Sequence, residues 1–328
     1  MLAVIILAAG KGTRMKSPLP KVLHLLAGEP LIIHVLETAL NLNPQKILVV
    51  VGHKAHLVRE KVKAYAVELV PQKEQLGTGH AVLICQEALK DFSGAVLVLC
   101  GDVPLLSPET LKGLLSLHFR EKATVTLLTA ELDDPTGYGR IIRDGTGEVV
   151  KIVEEKDASS REKEVREVNA GTYVFDKDFL FRALPQLSPE NVQKEYYLTD
   201  VIALAQRAGK KVVAFKTPFK EEILGINSQR ELAQVENLFQ QRLRAKFMAE
   251  GVSFLQPETV YLERRVRLAP GVVIYPMVSL RGKTFLAEGV VVESHCDLKD
   301  VSVGPGSKIR AGSILEGLVI PPATVWPK

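Results

Sequence analysis

The sequence predicts an α/β protein: a Rossmann-like, mostly parallel sheet covered by helices, followed by a short parallel β-helix. Over the first 230 residues, short β-branched runs alternate with longer segments of helical period, the pattern of a parallel sheet with helical crossovers. A basic, glycine-bearing loop directly follows the first run, where sheets of this class bind ligands. From residue 262 apolar residues recur every six positions with Gly and Pro between them, the sign of a parallel β-helix. The division expected is residues 1–228 for the sheet domain, 229–251 for a connecting helix and 252–328 for the β-helix.

Bulk properties leave room for a catalyst and exclude other classes. With 328 residues, 46% hydrophobic and 24% charged, the chain reads as globular. Lys plus Arg number 42 against 38 Asp plus Glu, and a net charge of +4 is too small and dispersed for nucleic acid, though anionic small substrates fit it. Cys85, Cys100 and Cys296 are too few and scattered for a disulfide framework, and their spacing matches no zinc site. The seven histidines offer no metal-ligand spacing either. Met1 leads into a strand without a basic leader, and no run approaches a membrane span, so a cytoplasmic protein without a membrane partner is expected.

The first strand, AVIIL, runs into LAAGKGTRMKSPLPK at residues 7–21. Gly10 and Gly12 supply two positions of a dinucleotide fingerprint, but Met15 occupies the third. No Lys-Ser or Lys-Thr pair directly follows Gly12, so a P-loop of the Walker type fails too. What remains is a flexible loop of exposed N–H groups carrying Arg14, Lys16 and Lys21, suited to an extended triphosphate; a basic surface turn is the alternative. The helical segment PLIIHVLETAL comes next, then KILVVV with HLVREKVKAYA, then QLGTG, which reads as a helix entry capped by Thr78 before HAVLICQEAL. AVLVL is followed by GDVPLL and by SPETLKGLLSLHF, so Asp102 and the first loop should face each other beyond the strand ends. Asp102 alone reads equally as a turn or cap residue before Pro104.

YGRIIRDGTGEVVKIVEEKD reads as a hairpin around Asp144 and Gly145, able to project over the sheet edge as a lid. Residues 227–251 read as a connecting helix that Asn227 would cap. Beyond it Leu262, Leu268, Ile274, Leu280, Leu286, Val292 and Leu298 keep the six-residue register, which resumes after a slip at Val303, Ile309 and Leu315, and again at Ile320 and Trp326. Roughly four coils result. The closing PPATVWPK would cap an open coil end.

In order, LAAGKGTRMKSPLPKVLH, EQLGTGHAV, GDVPLL, TGYGRI, IVEEKDA, VNAGTYVF, EYYLTDVI and GINSQRELA resemble the uridylyltransferase half of the GlmU family, which makes UDP-N-acetylglucosamine. The resemblance spans residues 1 to about 250 and continues into the hexapeptides. It implies a GT-A-like nucleotidyltransferase sheet, a left-handed β-helix, UTP and a sugar 1-phosphate as substrates, and a homo-oligomer, a trimer through the β-helix; the alternatives are a related pyrophosphorylase using glucose 1-phosphate or N-acetylgalactosamine 1-phosphate, and a non-catalytic regulatory subunit of the same fold, against which Arg14, Lys21, Asp102 and Asn227 together argue. It also implies roles. Arg14 and Lys21 would be catalytic, on the leaving pyrophosphate and the α-phosphate, with Lys11 and Lys16 as solvated surface residues. The nucleotide would be held by Leu7, Ala8, Ala9, Gly10, Gly12 and Thr13 and its base read by Gln72, Gly77 and Thr78. Gly139, Glu154 and Asn169 would contact the sugar, though Glu154 and Glu155 also read as a charged strand end. Asp102 and Asn227 would hold Mg²⁺, one carboxylate and one amide oxygen suiting a hard cation. The family's second activity, acetyl transfer, needs a longer β-helix and a catalytic His; only His295 lies in this region, so acetyl transfer is not expected.

Overall fold

The computed structural model describes residues 1–327; Lys328 lies outside the described residues. The chain forms two compact units, Met1–His24 with Pro30–Gln229, and Leu25–Glu29 with Arg230–Lys328.

In the first unit the strands are β1 (Leu2–Ala8), β2 (Lys46–Val51), β3 (Glu68–Pro71), β4 (Ala95–Cys100), β5 (Val125–Glu131), β6 (Arg140–Arg143), β7 (Val149–Val153), β8 (Glu167–Asp176) and β9 (Val212–Lys216). Their order is β9-β5-β8-β4-β1-β2-β3, and every pair along it is parallel except those made by β8. The helices of six or more residues are α1 (Leu31–Leu40), α2 (Ala55–Val62), α3 (Thr78–Leu83), α4 (Pro108–Arg120), α5 (Lys177–Ala183) and α6 (Asp200–Arg207).

Side chains of β1 alternate between two cores. Ala3 and Ile5 pack with Val82 of α3, Leu180 of α5 and Val201 of α6, while Val4 and Ile6 pack with Leu36 of α1, Val58 of α2 and Leu111 of α4. Burial on both faces is why these strands read as continuous apolar runs. Helix α4 starts where its sequence predicts, with the Ser107 hydroxyl accepting from the Thr110 N–H at 3.1 Å and Pro108 in the first turn.

Three expectations need correction. The predicted lid is a hairpin, but β6 is hydrogen-bonded onto β8 at Arg140 and Val168, so it extends the sheet. Thr78 does not cap α3, because its Oγ1 accepts from the Leu198 N–H at 3.0 Å, and Gly77 holds the cap position. The helix ends at Leu83, partway through HAVLICQEAL, and Glu87–Leu89 forms a separate 3₁₀ turn.

The second unit contains α7 (Gln229–Ala249) from Arg230 onward and a left-handed parallel β-helix whose faces hold, among the described residues, five, four and four short strands. Leu262 pairs with Leu280 and Leu280 with Leu298, whereas Leu298 pairs with Leu315, so the coil shortens by one residue at the slip seen in the sequence. A second inward row, Val260, Val266, Val272, Val278, Val290, Cys296 and Val301, lies two residues before the first and is equally buried. The coils begin with Ser253–Phe254, before the repeat as read from Leu262. Val325–Trp326 continues a face by pairing with Lys308–Ile309, where a cap was expected; Lys328 of that segment lies outside the described residues. The first coil borrows hydrogen bonds from α7: Gln240 donates Nε2 to the Leu262 carbonyl at 2.7 Å and accepts the Leu262 N–H at 3.0 Å. No described helix is long and apolar enough to cross a membrane.

Candidate active site

Paired register brings the carboxyl ends of β1 and β4 side by side, Leu7 opposite Cys100. The loops that follow them meet in a cleft of about 530 Å³, within the usual size of a small-ligand site. Within the first loop, the 3₁₀ turn Thr13–Met15 is pinned by its one buried side chain, Met15. Gly12 enters this turn at φ 61°, and a Cβ there would lie 2.7 Å from the Cβ of Lys21. Glycine is therefore required twice, by the backbone and by the neighbour.

Lys21 is the centre of the arrangement. Its Nζ donates to Oδ2 of Asp102 at 2.5 Å and to Oδ1 of Asn227 at 2.9 Å. The Asp102 carbonyl also accepts the Ile226 N–H at 3.0 Å, tying the two distant segments together by backbone. Asn227 is engaged with Lys21 and lies two residues before the start of α7. Arg14 is exposed at the cleft and has no ion-pair partner among the described residues.

Two oxygens of different chemistry, a carboxylate and an amide, thus converge on one cationic atom. That donor set fits a hard divalent cation such as Mg²⁺. Among the described residues no three His, Cys, Asp or Glu side chains gather to hold a metal, so phosphate oxygens and water would complete its coordination.

Opposite the loop, the turn before α3 is zipped onto residues 195–198. Tyr196 donates to the Leu76 carbonyl and accepts from the Gly79 N–H, both at 2.8 Å, and a Cβ on Gly77, at φ 110°, would lie 2.6 Å from the Tyr196 oxygen. Gln72 is buried, its Nε2 3.2 Å from the Gly77 carbonyl and 3.1 Å from Nδ1 of His80.

The cleft collects Leu7, Ala8, Ala9, Gly10, Gly12, Thr13, Arg14, Lys21, Gln72, Gly77, Thr78, Asp102 and Asn227. It is not lined by Gly139, Glu154 or Asn169, which form a neighbouring cluster. Asn169 donates its N–H to the Gly139 carbonyl at 2.9 Å, and Glu154 accepts from the Thr199 hydroxyl at 3.2 Å. A Cβ on Gly139 would stand 3.0 Å from Ile152 Cγ2 and 3.5 Å from both Glu154 oxygens, so Gly139 lies directly against that carboxylate. Burial pushes the Glu154 carboxyl above its ordinary range; the Thr199 hydroxyl opposes this, and Asp200, Asp157 and Glu195 add to it.

Lys11, expected to be a solvated surface residue, is exposed yet lines the cleft. Sequence reasoning missed Val22, Gln75, Ala81, Cys100 and Glu195 among the lining residues. Cys100 and Gln75 sit inside or beside the quoted motifs, so proximity was the available signal. Cys100 bridges the two clusters: it borders the cleft, and its Sγ donates to the Gly171 carbonyl at 3.4 Å. Burial, reinforced by Asp102, pushes its thiol up to about 12.

Comparison with known proteins decides the family. Residues 3–241 match the nucleotidyl transferase family. The chain is 50% identical over 322 residues to the bifunctional protein GlmU of Thermus thermophilus, covering 98% of this chain and 70% of that protein. The chain belongs to the GlmU family. GlmU of Syntrophotalea carbinolica is 48% identical, with 96% and 68% covered, and that of Streptococcus gordonii 45%, with 98% and 70% covered. The solved structure of a UDP-glucose pyrophosphorylase complexed with UDP-glucose shares the fold at a TM-score of 0.59 and 19% identity, covering 73% of this chain and 98% of that one.

Proposed function

We propose that the cleft transfers a uridylyl group from UTP to N-acetylglucosamine 1-phosphate, forming UDP-N-acetylglucosamine and pyrophosphate. An oxygen of the sugar phosphate attacks the α-phosphorus, the bond to the bridging oxygen breaks, and the β,γ-pyrophosphate leaves. The observation that carries this reading is the Lys21 ammonium held between Asp102 and Asn227 in the cleft that the Ala8–Thr13 glycine loop also lines.

A phosphomonoester is already an anion at neutral pH, so no general base is needed. The remaining task is to bring two anions together and to stabilise charge on the transition state and leaving group. Backbone N–H groups from Ala8 to Thr13 hold the phosphates, Lys21 reaches the α-phosphate, and Arg14, unpaired, reaches the leaving pyrophosphate. Mg²⁺ at Asp102 and Asn227, when bound, supplies further charge neutralisation. Gln72, whose Nε2 is oriented by Gly77 and His80, presents its amide to the uracil edge with Gly77 and Thr78. Gly139, Glu154 and Asn169 take the sugar hydroxyls and the N-acetyl group.

The test is pyrophosphate release over a panel of nucleoside triphosphates and sugar 1-phosphates with Mg²⁺. UTP with N-acetylglucosamine 1-phosphate should give the highest kcat/KM. Faster turnover of glucose 1-phosphate would reassign the sugar, and no release with any pair would overturn the activity.

A further inference from the structure

Strand β8 loses register against β5 between Asn169 and Tyr173: four steps along β8 are matched by two along β5, from Thr129 to Leu127. Gly171 lies inside this irregularity at φ 67°. Bulges of this kind re-aim side chains next to functional sites. Here the Asn169 side chain folds along its own strand, accepting the Gly171 N–H on Oδ1 at 3.1 Å and donating Nδ2 to the Tyr173 hydroxyl at 2.6 Å. The Tyr173 ring is 3% exposed and stacked on Phe175 with centroids 5.6 Å apart. A ring so enclosed cannot swing away, so its hydroxyl is a fixed point.

Resting on the sugar-binding reading of Asn169, we propose that Tyr173 is a positioning residue that sets affinity for the sugar 1-phosphate by clamping the Asn169 amide. An asparagine side chain has two N–H donors and two acceptor lone pairs. One of each is consumed by Tyr173 and Gly171, which fixes which end is oxygen and which is nitrogen. One N–H and one lone pair are left for a ligand that offers both an acceptor and a donor, as a hydroxyl or an acetamido group does. Without the phenol, Gly171 alone cannot hold the amide plane. Burial, with Glu154 adding to it, keeps the Tyr173 phenol well above its ordinary value, so it remains a neutral hydroxyl throughout the working pH range. Cys100, donating to the Gly171 carbonyl, holds the other side of the bulge.

The experiment is a double-mutant cycle with Asn169→Ala and Tyr173→Phe on the full chain, with N-acetylglucosamine 1-phosphate and UTP as substrates. Tyr173→Phe keeps the ring and its stacking and removes only the oxygen. It should raise KM for the sugar phosphate about tenfold, the effect of one lost hydrogen bond to an oriented group, and leave KM for UTP and kcat within about twofold. In the Asn169→Ala background it should add nothing, because the group it acts through is gone. If Asn169→Ala raises the sugar KM and Tyr173→Phe does not, or shifts both substrates equally, the clamp is refuted. If Asn169→Ala has no effect, the sugar-binding reading itself fails, and the clamp with it. Should Tyr173→Phe not fold, the native chain still decides: the Asn169 side-chain amide, assigned in ¹⁵N-asparagine-labelled protein by its loss in Asn169→Ala, should exchange slowly with solvent hydrogen. An amide exchanging as fast as one in a free peptide overturns the proposal.

Discussion

Replacing Gly12 and Gly10 one at a time by alanine separates a glycine required by the fold from one required by the ligand. At Gly12 the backbone is at φ 61° and the added Cβ would lie 2.7 Å from the Lys21 Cβ, well inside contact distance. The left-handed conformation costs alanine about 1 to 2 kcal/mol, and forcing the neighbour aside costs about 1 to 3 kcal/mol more. Lys21 is the side chain displaced, and its Nζ makes contacts of 2.5 and 2.9 Å that a shift of a few tenths of an ångström would spoil. Gly12→Ala should therefore lower Tm and reduce kcat/KM by on the order of 10- to 100-fold. At Gly10 an added Cβ meets no protein atom within 4 Å, although the residue lines the cleft. Gly10→Ala should leave Tm unchanged and raise KM for UTP, because only the nucleotide would meet the methyl group. Thermal unfolding and steady-state pyrophosphate release measure both variants. A Gly12→Ala protein with the native Tm and kcat/KM, or a Gly10→Ala protein destabilised as much as Gly12→Ala, would refute the reasoning.

Asp102→Asn keeps the shape of the site and removes its carboxylate, so turnover should fall about 100-fold or more with little change in Tm; near-native steady-state turnover would exclude Asp102 from the machinery. Burial raises the Glu154 carboxyl in the folded chain, so this group weakens the fold progressively as pH rises from the ordinary 4.5 through the raised value, where the folded carboxyl must ionise. Urea unfolding between pH 4 and 8 should show Glu154→Gln gaining on the native protein as pH rises, and a pH-independent difference would contradict that. Gln240→Leu strips the edge of the first coil of two hydrogen bonds to Leu262 and should cost about 2 to 4 kcal/mol in chemical denaturation; a loss below about 0.5 kcal/mol would mean the edge finds other partners. The thiols of Cys85 and Cys100 are both pushed up to about 12 by burial, and Cys296 is raised as well. Iodoacetamide at pH 7.5 should accordingly leave the native protein unlabelled, and rapid stoichiometric alkylation would show that these thiols are not protected.

The sheet was legible because its strands are buried on both faces and its helices on one, which imprints two different periods on the chain. The β-helix was legible from one inward row; the second, with Thr284, Ser307 and Ser313 interrupting its valines, carries too mixed a composition to announce itself. The role of Gln240 was not legible at all. A side-chain amide that pairs with a strand's N–H and carbonyl looks like any polar helix residue until the strand is placed beside it. Thr78 misled for a related reason: a hydroxyl at a helix start usually caps its own helix, but here a backbone N–H from a segment 120 residues away competes successfully for it.

Why the quoted motifs must occur together follows from the same geometry. EQLGTG supplies a turn that only a glycine at φ 110° can make, yet that turn is shaped by the backbone of EYYLTD, whose Tyr196 and Leu198 hold it from the other side. GDVPLL and GIN are joined by the bond from Ile226 to Asp102. VNAGTYV enters through the antiparallel strand β8, inserted between β4 and β5, and its irregular register places Asn169 and Gly171 beside Cys100, the last residue of β4. Cys100 therefore joins the two clusters: paired with Leu7 at the root of the glycine loop, two residues from Asp102, and bonded to the bulge that carries Asn169. A parallel sheet with one reversed strand puts the segments proposed to bind phosphate and sugar on adjacent strand ends, and the proposed transfer between two anionic substrates needs that adjacency.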